Sequence, residues 1–336
     1  GAVPSLIHLL TSPDDSVREQ AAWALGNISG DSADLRDLVI SGGALSALCE
    51  MLREPGEDKS ALAHTASWVL ANFCRGSPVP SREHLEPAFP VLERLLNSDN
   101  EEVAEQACWA FAYLTKASEE YVKMIVTLGL HQKLADMLVH REDKIQIPVL
   151  RVLGNIAAAT DEDTRAVVDS GVLATLVQLV AHPSKKLRVG SCWILSNIFV
   201  GCPDQIQHAI DSNVTEHMLP LLQSGPLEVR KEAIWAIGNM IMHGKSHHVT
   251  HLVECGCVAA VVESLHVFDD ETNVRLLAVT ERILTVGQEL QTRSHVHYNP
   301  FAMLVQQANI IGKIEAFKSH SSEEARDLAT RLLALL

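Results

Sequence analysis

No run of 18 apolar residues occurs anywhere in this chain, which excludes a membrane-spanning helix of ordinary length. Nothing near the N-terminus has the basic, apolar and small-residue order of a secretory signal. Positive charge is in deficit: 27 Lys and Arg face 42 Asp and Glu, a formal charge of −15. Such a balance disfavours nucleic acid as a partner for the bulk surface and favours a basic one, although it also serves solubility. The seven cysteines, at 49, 74, 108, 192, 202, 255 and 257, show no ligand spacing. They read as free buried thiols of a reducing compartment, with no disulfides expected. There is no nucleophile elbow, phosphate loop or paired-carboxylate constellation, so neither an enzyme nor a cofactor is expected.

Aromatic residues are equally scarce, at 4%, yet they are not scattered. All five tryptophans fall in one series with a partner one helical turn later: Trp23 with Asn27, Trp68 with Asn72, Trp109 with Tyr113, Trp193 with Asn197 and Trp235 with Asn239. Arg151 with Asn155 fills the remaining gap. The intervals are 45, 41, 42, 42 and 42 residues, and a fixed period of this size marks a helical solenoid, in which each unit buries its apolar face only by stacking on its neighbours. Residues four apart share a helix face. In Lys186 to Val200 the stripe Leu187, Ile194, Leu195 and Ile198 has helical period and forms the core side, while Trp193 and Asn197 lie beside it. Asn is a poor helix former and is seldom buried without partners. Its recurrence at one phase therefore predicts an exposed row of indoles and amides, a recognition surface for something extended.

Taken in order, Pro4 to Leu10 and Ser16 to Ile28 read as the last two helices of a repeat whose first is missing, so the chain reads as a trimmed or processed fragment. Leu35 to Ser41, Ala44 to Leu52 and Ala61 to Cys74 form a complete triplet, with Gly42-Gly43 and Pro55-Gly56 as breaks. Pro78 and Pro80 delay the next, expected at Glu83 to Phe89, Pro90 to Leu96 and Glu101 to Leu114. Gly129, Gly171, Asn213 and Gly256 then punctuate each unit as helix C-caps. Asp99, Asp161, Asp270, Pro203-Asp204 and Pro226 mark helix starts. Leu277 and Glu281 stand where the next Trp and Asn would fall, and Phe301 to Leu336 supplies a last triplet with a polar third helix, Glu323 to Leu335. The expectation is a single all-α array over 1–336, a right-handed superhelix of about eight three-helix repeats, with a partial repeat at 1–29 and a capping repeat at about 298–336.

A three-helix unit of about 42 residues with Trp-x-x-x-Asn on its third helix resembles the armadillo repeats of the importin-α (karyopherin-α) family. The stretches Trp23 to Asp31, Leu35 to Val39, Gly154 to Ile156 with Thr160-Asp161, Asp204 to Gln207 and Lys313 to Ala316 are similar to that family's. Tyr113 and Arg151 match its own exceptions in the middle repeats. The resemblance implies an adaptor that holds nuclear localisation signals in a concave groove, shuttles between cytoplasm and nucleus, and is returned by an export receptor. Its importin-β contact would lie in an upstream basic segment not among the residues given.

The resemblance also implies two groove segments. The first comprises Trp23, Asn27, Asp31, Trp68, Asn72, Glu102 and Trp109, with Asp31 as the acid for the signal's principal Lys. The second comprises Arg151, Asn155, Asp161, Trp193, Asn197, Glu232, Trp235 and Asn239. Thr65, Gln106 and Gly190 stand where the family has polar or acidic groove residues, Ser32 where it has glycine, and the family's Trp-Asn repeat before Trp23 is not included. Two other features read as structural. His243, His247 and His251, with His248 beside them, are expected to be solvated surface residues rather than metal ligands, and Cys255-Gly256-Cys257 to be buried thiols. The competing reading is another armadillo or HEAT scaffold, β-catenin-like, with no role in import; a groove for acidic ligands would carry Lys and Arg at the ladder phases.

Overall fold

The computed structural model describes residues 1–53, 61–140, 142–295, 297–308 and 310–336, and within them every regular element is helical. The Pro55-Gly56 break lies outside the described residues. The chain divides into two compact units, Gly1–Ser170 and Gly171–Leu336. In the first, the ladder-bearing helices Asp15–Asp31, Ala61–Phe73, Glu101–Ala117 and Asp143–Ala157 pack each on the next. In the second, the same is true of Lys185–Ile198, Leu227–His243, Asp270–Ser294 and Glu323–Leu335. Two shorter helices precede most of them, for example Ala33–Ser41 and Ala44–Met51 before Ala61–Phe73.

Periodicity and punctuation account for these elements. The stripe Leu187, Ile194, Leu195 and Ile198 is fully buried, as are Leu25, Val69, Phe111 and Ile237 at corresponding depth in their helices. Asn213 (φ 59°) and Gly171 (φ 78°) take the left-handed conformation that closes one helix and opens the next, and Gly129 and Gly256 do likewise. Asp161 and Asp270 are the first residues of their helices, and Asp99 lies in the turn before Glu101–Ala117. The side chains that cap these three helices are those of the extended residues just ahead of each, Thr160, Asp269 and Asn100. The helix expected over Glu83 to Phe89 is broken into Arg82–Leu85 and a 3-10 turn at Glu86–Ala88, because Pro87 has no N–H to extend the α ladder.

The loop that carries Pro78 and Pro80, ahead of Arg82–Leu85, is tied down from both sides. Arg36, fully buried, donates from Nη1 to the Arg75 carbonyl (2.8 Å) and from Nη2 to the Pro78 carbonyl (2.6 Å) and pairs with Asp37. Tyr121 Oη donates to the Pro80 carbonyl at 2.9 Å, and burial pushes its phenol up to about 12. The loop thus substitutes side-chain donors for the ladder bonds it lacks.

Two readings of reactive side chains change. His248 is buried rather than solvated. The Lys245 N–H donates to its Nδ1 (3.1 Å) while Nε2 faces Gln207 Oε1 (3.0 Å), which fixes the neutral tautomer. Burial first, then the neighbouring His247 and Lys245, depress its pKa to about 4. Cys257 is buried with its thiol pushed up to about 12, but Cys255 is exposed. Cys49 and Cys202 are only half-buried.

Two stability tests follow from these contacts. Arg36→Ala empties a buried site and removes two charge-assisted bonds to the carbonyls of the exposed residues Arg75 and Pro78, and should lower stability by about 2–3 kcal/mol in chemical denaturation. His248 is neutral in the fold at pH values where the unfolded chain is protonated. Its contribution is therefore complete above about pH 6.5 and is lost as pH falls toward about 4. Replacement by Gln should flatten the stability profile across that window in denaturation series at fixed pH.

Candidate functional site: the Trp and Asn ladder

Trp23 is exposed, while Trp68, Trp109, Trp193 and Trp235 are each half-buried. Gly26 shows why the approach is close. A Cβ there would fall 2.2 Å from the Trp68 ring, so only glycine lets that indole lie on the preceding repeat. Trp109 stacks on Tyr113 (5.8 Å between centroids) and donates from Nε1 to Glu105 Oε1 at 3.2 Å. Arg75 sits over Tyr113, 6.0 Å from the ring centre.

The amides depart from expectation. Asn27 is exposed, but Asn72 and Asn239 are buried, and Asn155 and Asn197 are half-buried. The reason is a repeated hydrogen bond to the preceding repeat. Asn72 Nδ2 donates to the Gly26 carbonyl (3.2 Å), Asn155 Nδ2 to the Ala112 carbonyl (3.2 Å) and Thr115 Oγ1 (3.1 Å), and Asn239 Nδ2 to the Ser196 carbonyl (2.7 Å). Gly26, Ala112 and Ser196 each immediately precede the rung residue of their own helix. The amides are therefore a bracket between successive ladder helices as well as a surface. An amide offers two N–H donors and an oxygen, so one bracket bond leaves capacity for a second partner.

The acids are distributed around this row. Asp31 is exposed at the end of its helix, and Glu102 is exposed in the first turn of Glu101–Ala117, with His64 Nδ1 at 3.8 Å. Asp161 is exposed in the first turn of Asp161–Asp169, and Arg151 is exposed on Asp143–Ala157. In the second unit, Trp193, Asn197, Glu232, Trp235 and Asn239 line one cleft of about 600 Å³ together with Lys231, His243, Glu271 and Arg275. Arg275, absent from the sequence reading, lies over Trp235 at 5.5 Å from the ring centre and donates to Asn239 Oδ1. Its signal in the sequence was faint: one basic residue two positions before Leu277, where the ladder loses its indole.

The sequence matches the armadillo/β-catenin-like repeat over residues 1–30, 160–200 and 202–242, and a HEAT-like repeat over 60–114. Among curated proteins it is similar to importin subunit alpha-1b of Oryza sativa subsp. japonica, 44% identical over 46% of this chain and 29% of that one. It is also similar to importin subunit alpha-2 of Arabidopsis thaliana, 45% identical over 42% of this chain and 26% of that one. The matched stretch thus spans under a third of these relatives' length. Among solved structures, an engineered protein aligns over all of this chain and 88% of its own with a TM-score of 0.73 at 23% identity. A designed armadillo repeat protein in complex with the peptide (KR)4 aligns over 73% of this chain and 98% of its own with a TM-score of 0.64 at 22% identity. These two likenesses show an armadillo fold.

If the amide bracket fixes the stacking of the ladder helices, Asn72→Ala should cost about 1–1.5 kcal/mol through loss of the bond to the Gly26 carbonyl. Asn27→Ala, at an exposed amide, should cost under about 0.5 kcal/mol. Comparing the two in urea titrations checks the distinction.

Proposed function

We propose that the chain is an importin-α-family armadillo protein, an adaptor whose ladder binds the Lys- and Arg-rich nuclear localisation signals of cargo proteins. The observation that carries this reading is the cleft of the second unit, where the indoles of Trp193 and Trp235 and the carboxylate of Glu232 share one opening. An extended peptide advances about 3.4 Å per residue and packed helices lie about 8–10 Å apart, so each repeat meets roughly three ligand residues. Lys and Arg stems lying against half-buried indoles gain apolar contact and cation–π attraction of about 0.5–2 kcal/mol each. Amide groups beyond the bracket bond hold a peptide backbone without regard to its sequence, and the acids read its charge.

In this scheme Trp23, Asn27, Asp31, Trp68, Asn72, Glu102 and Trp109 make the first segment, with Asp31 facing the principal ligand Lys. Trp193, Asn197, Glu232, Trp235 and Asn239 make the second, with Arg151, Asn155 and Asp161 assigned to it from the family pattern. Delivery would use importin-β, bound through a basic upstream segment, and recycling an export receptor, so that the protein shuttles between cytoplasm and nucleus. The chemistry needs neither catalysis nor a cofactor.

Titration with a Lys-rich and a Glu-rich peptide of equal length tests the reading directly. The Lys-rich peptide should bind, and its affinity should fall as salt rises, since the Debye length shrinks to about 8 Å at physiological ionic strength. Preference for the Glu-rich peptide would favour a β-catenin-like scaffold instead. Asp31→Lys should abolish binding of a single basic cluster, a close charge pair being worth about 1.5–7 kcal/mol at an interface. Trp193→Ala with Trp235→Ala should weaken two-cluster peptides while leaving circular dichroism unchanged.

A further inference from the structure

The rung at Trp235 already holds a basic side chain on its indole, as the Tyr113 ring of the first unit holds Arg75. The guanidinium of Arg275 covers the Trp235 ring, 5.5 Å from its centre, and one of its N–H groups is taken by Asn239 Oδ1. Asn239 also donates to the Ser196 carbonyl at 2.7 Å, so its oxygen and one N–H are both committed inside the chain, and it is 5% exposed. Over Gly238 an added Cβ would meet Val279 Cγ2 at 3.3 Å and then the Arg275 stem, Nε at 3.7 Å and Cγ at 3.9 Å. In the first unit the place above Gly26 is taken by the Trp68 indole; at Gly238 the ladder has no further indole to supply, and Val279 and the Arg275 stem share it. Its Nε is buried with no hydrogen-bond partner. The side chain is thus placed by stacking and by the Asn239 contact rather than by a carboxylate.

These are the two interactions that the function proposed above assigns to a ligand: a basic group on an indole face and a polar bond to the rung amide. We propose that Arg275 is an intramolecular stand-in for a basic ligand residue at the Trp235 rung. It closes the groove there and sets the register, so that a bound basic cluster is read on the Trp193 side of Trp235 and not beyond it. The inference rests on the adaptor reading and names a specificity-determining residue within it. Glu271 and Glu232 line the same cleft, so withdrawal of Arg275 would leave an acidic pocket open to an incoming Lys or Arg.

The test is fluorescence anisotropy of a labelled peptide with one Lys/Arg cluster against the whole protein and its Arg275→Ala and Arg275→Met variants. The Met variant keeps the stem over Gly238 and guards against misfolding in the Ala variant. Removal of the plug should tighten binding about tenfold, equivalent to about 1.4 kcal/mol. The gain should vanish when Trp235→Ala is added. Equal affinity for wild type and both variants, with the Trp193→Ala protein weakened, would overturn the plug and leave the adaptor reading standing. A gain that persists without Trp235 would also overturn it, because it would reflect only the removal of a positive charge. Absence of basic-peptide binding by every protein in the series would remove the adaptor reading and the plug together.

Discussion

One short hydrogen-bonding pattern governs the stacking of the ladder helices: a rung amide reaching back to the carbonyl just before the preceding rung. It occurs as Asn72 to Gly26 and Asn155 to Ala112 in the first unit, and as Asn239 to Ser196 in the second. A helix carbonyl already accepts one bond within its own helix and has a second lone pair available sideways. Asn is short enough to reach it without the flexible stem of Gln. The bond fixes axial register as well as distance, since a shift of one residue turns the acceptor away by about 100°. Apolar packing alone, being non-directional, would hold the helices together without specifying that register.

Where the pattern fails, other chemistry replaces it. At the phase of the missing Asn in the seventh ladder helix stands Glu281, and Arg331 of the last helix meets it through two bonds, Nε to Oε1 at 2.5 Å and Nη2 to Oε2 at 3.0 Å. The link between neighbouring repeats survives, but as an ion pair that is salt-screened where an amide bond is not. The long first interval keeps its amide bracket across 46 residues, so the added length leaves that bond in place.

The helices, their left-handed caps and the buried stripe of Lys185–Ile198 were readable in the sequence, because they depend on residues within one or two turns of each other. The bracket was not. Asn at a fixed phase signals that something recurrent is hydrogen-bonded, but its partner lies 43 or 46 residues away. Without that distance the amides looked exposed. His248 escaped for a similar reason: its tautomer depends on Gln207, 41 residues earlier, while the surrounding His243, His247 and His251 gave the cluster a solvated look. Arg275 was invisible to pattern reasoning because its importance comes from an absence, the indole that Leu277 does not provide.

On the proposed reading, structural and recognition roles fall to different atoms of the same residues. The Trp68 ring against Gly26 and one N–H of each bracketing amide hold neighbouring repeats together; the remaining indole surface and amide groups are what a ligand would use. This division constrains both roles. An indole more than half exposed, as at Trp23, offers more surface but is less well positioned, whereas an amide with its oxygen and one N–H engaged, as at Asn239, is well positioned but has little left to offer. Asn72 lies between these limits, with one N–H in the bracket and its oxygen and second N–H outside it. A ladder that reads peptides must keep its rungs in that intermediate state, and a basic residue from the chain itself, placed on a rung, converts that rung from a reader into part of the fold.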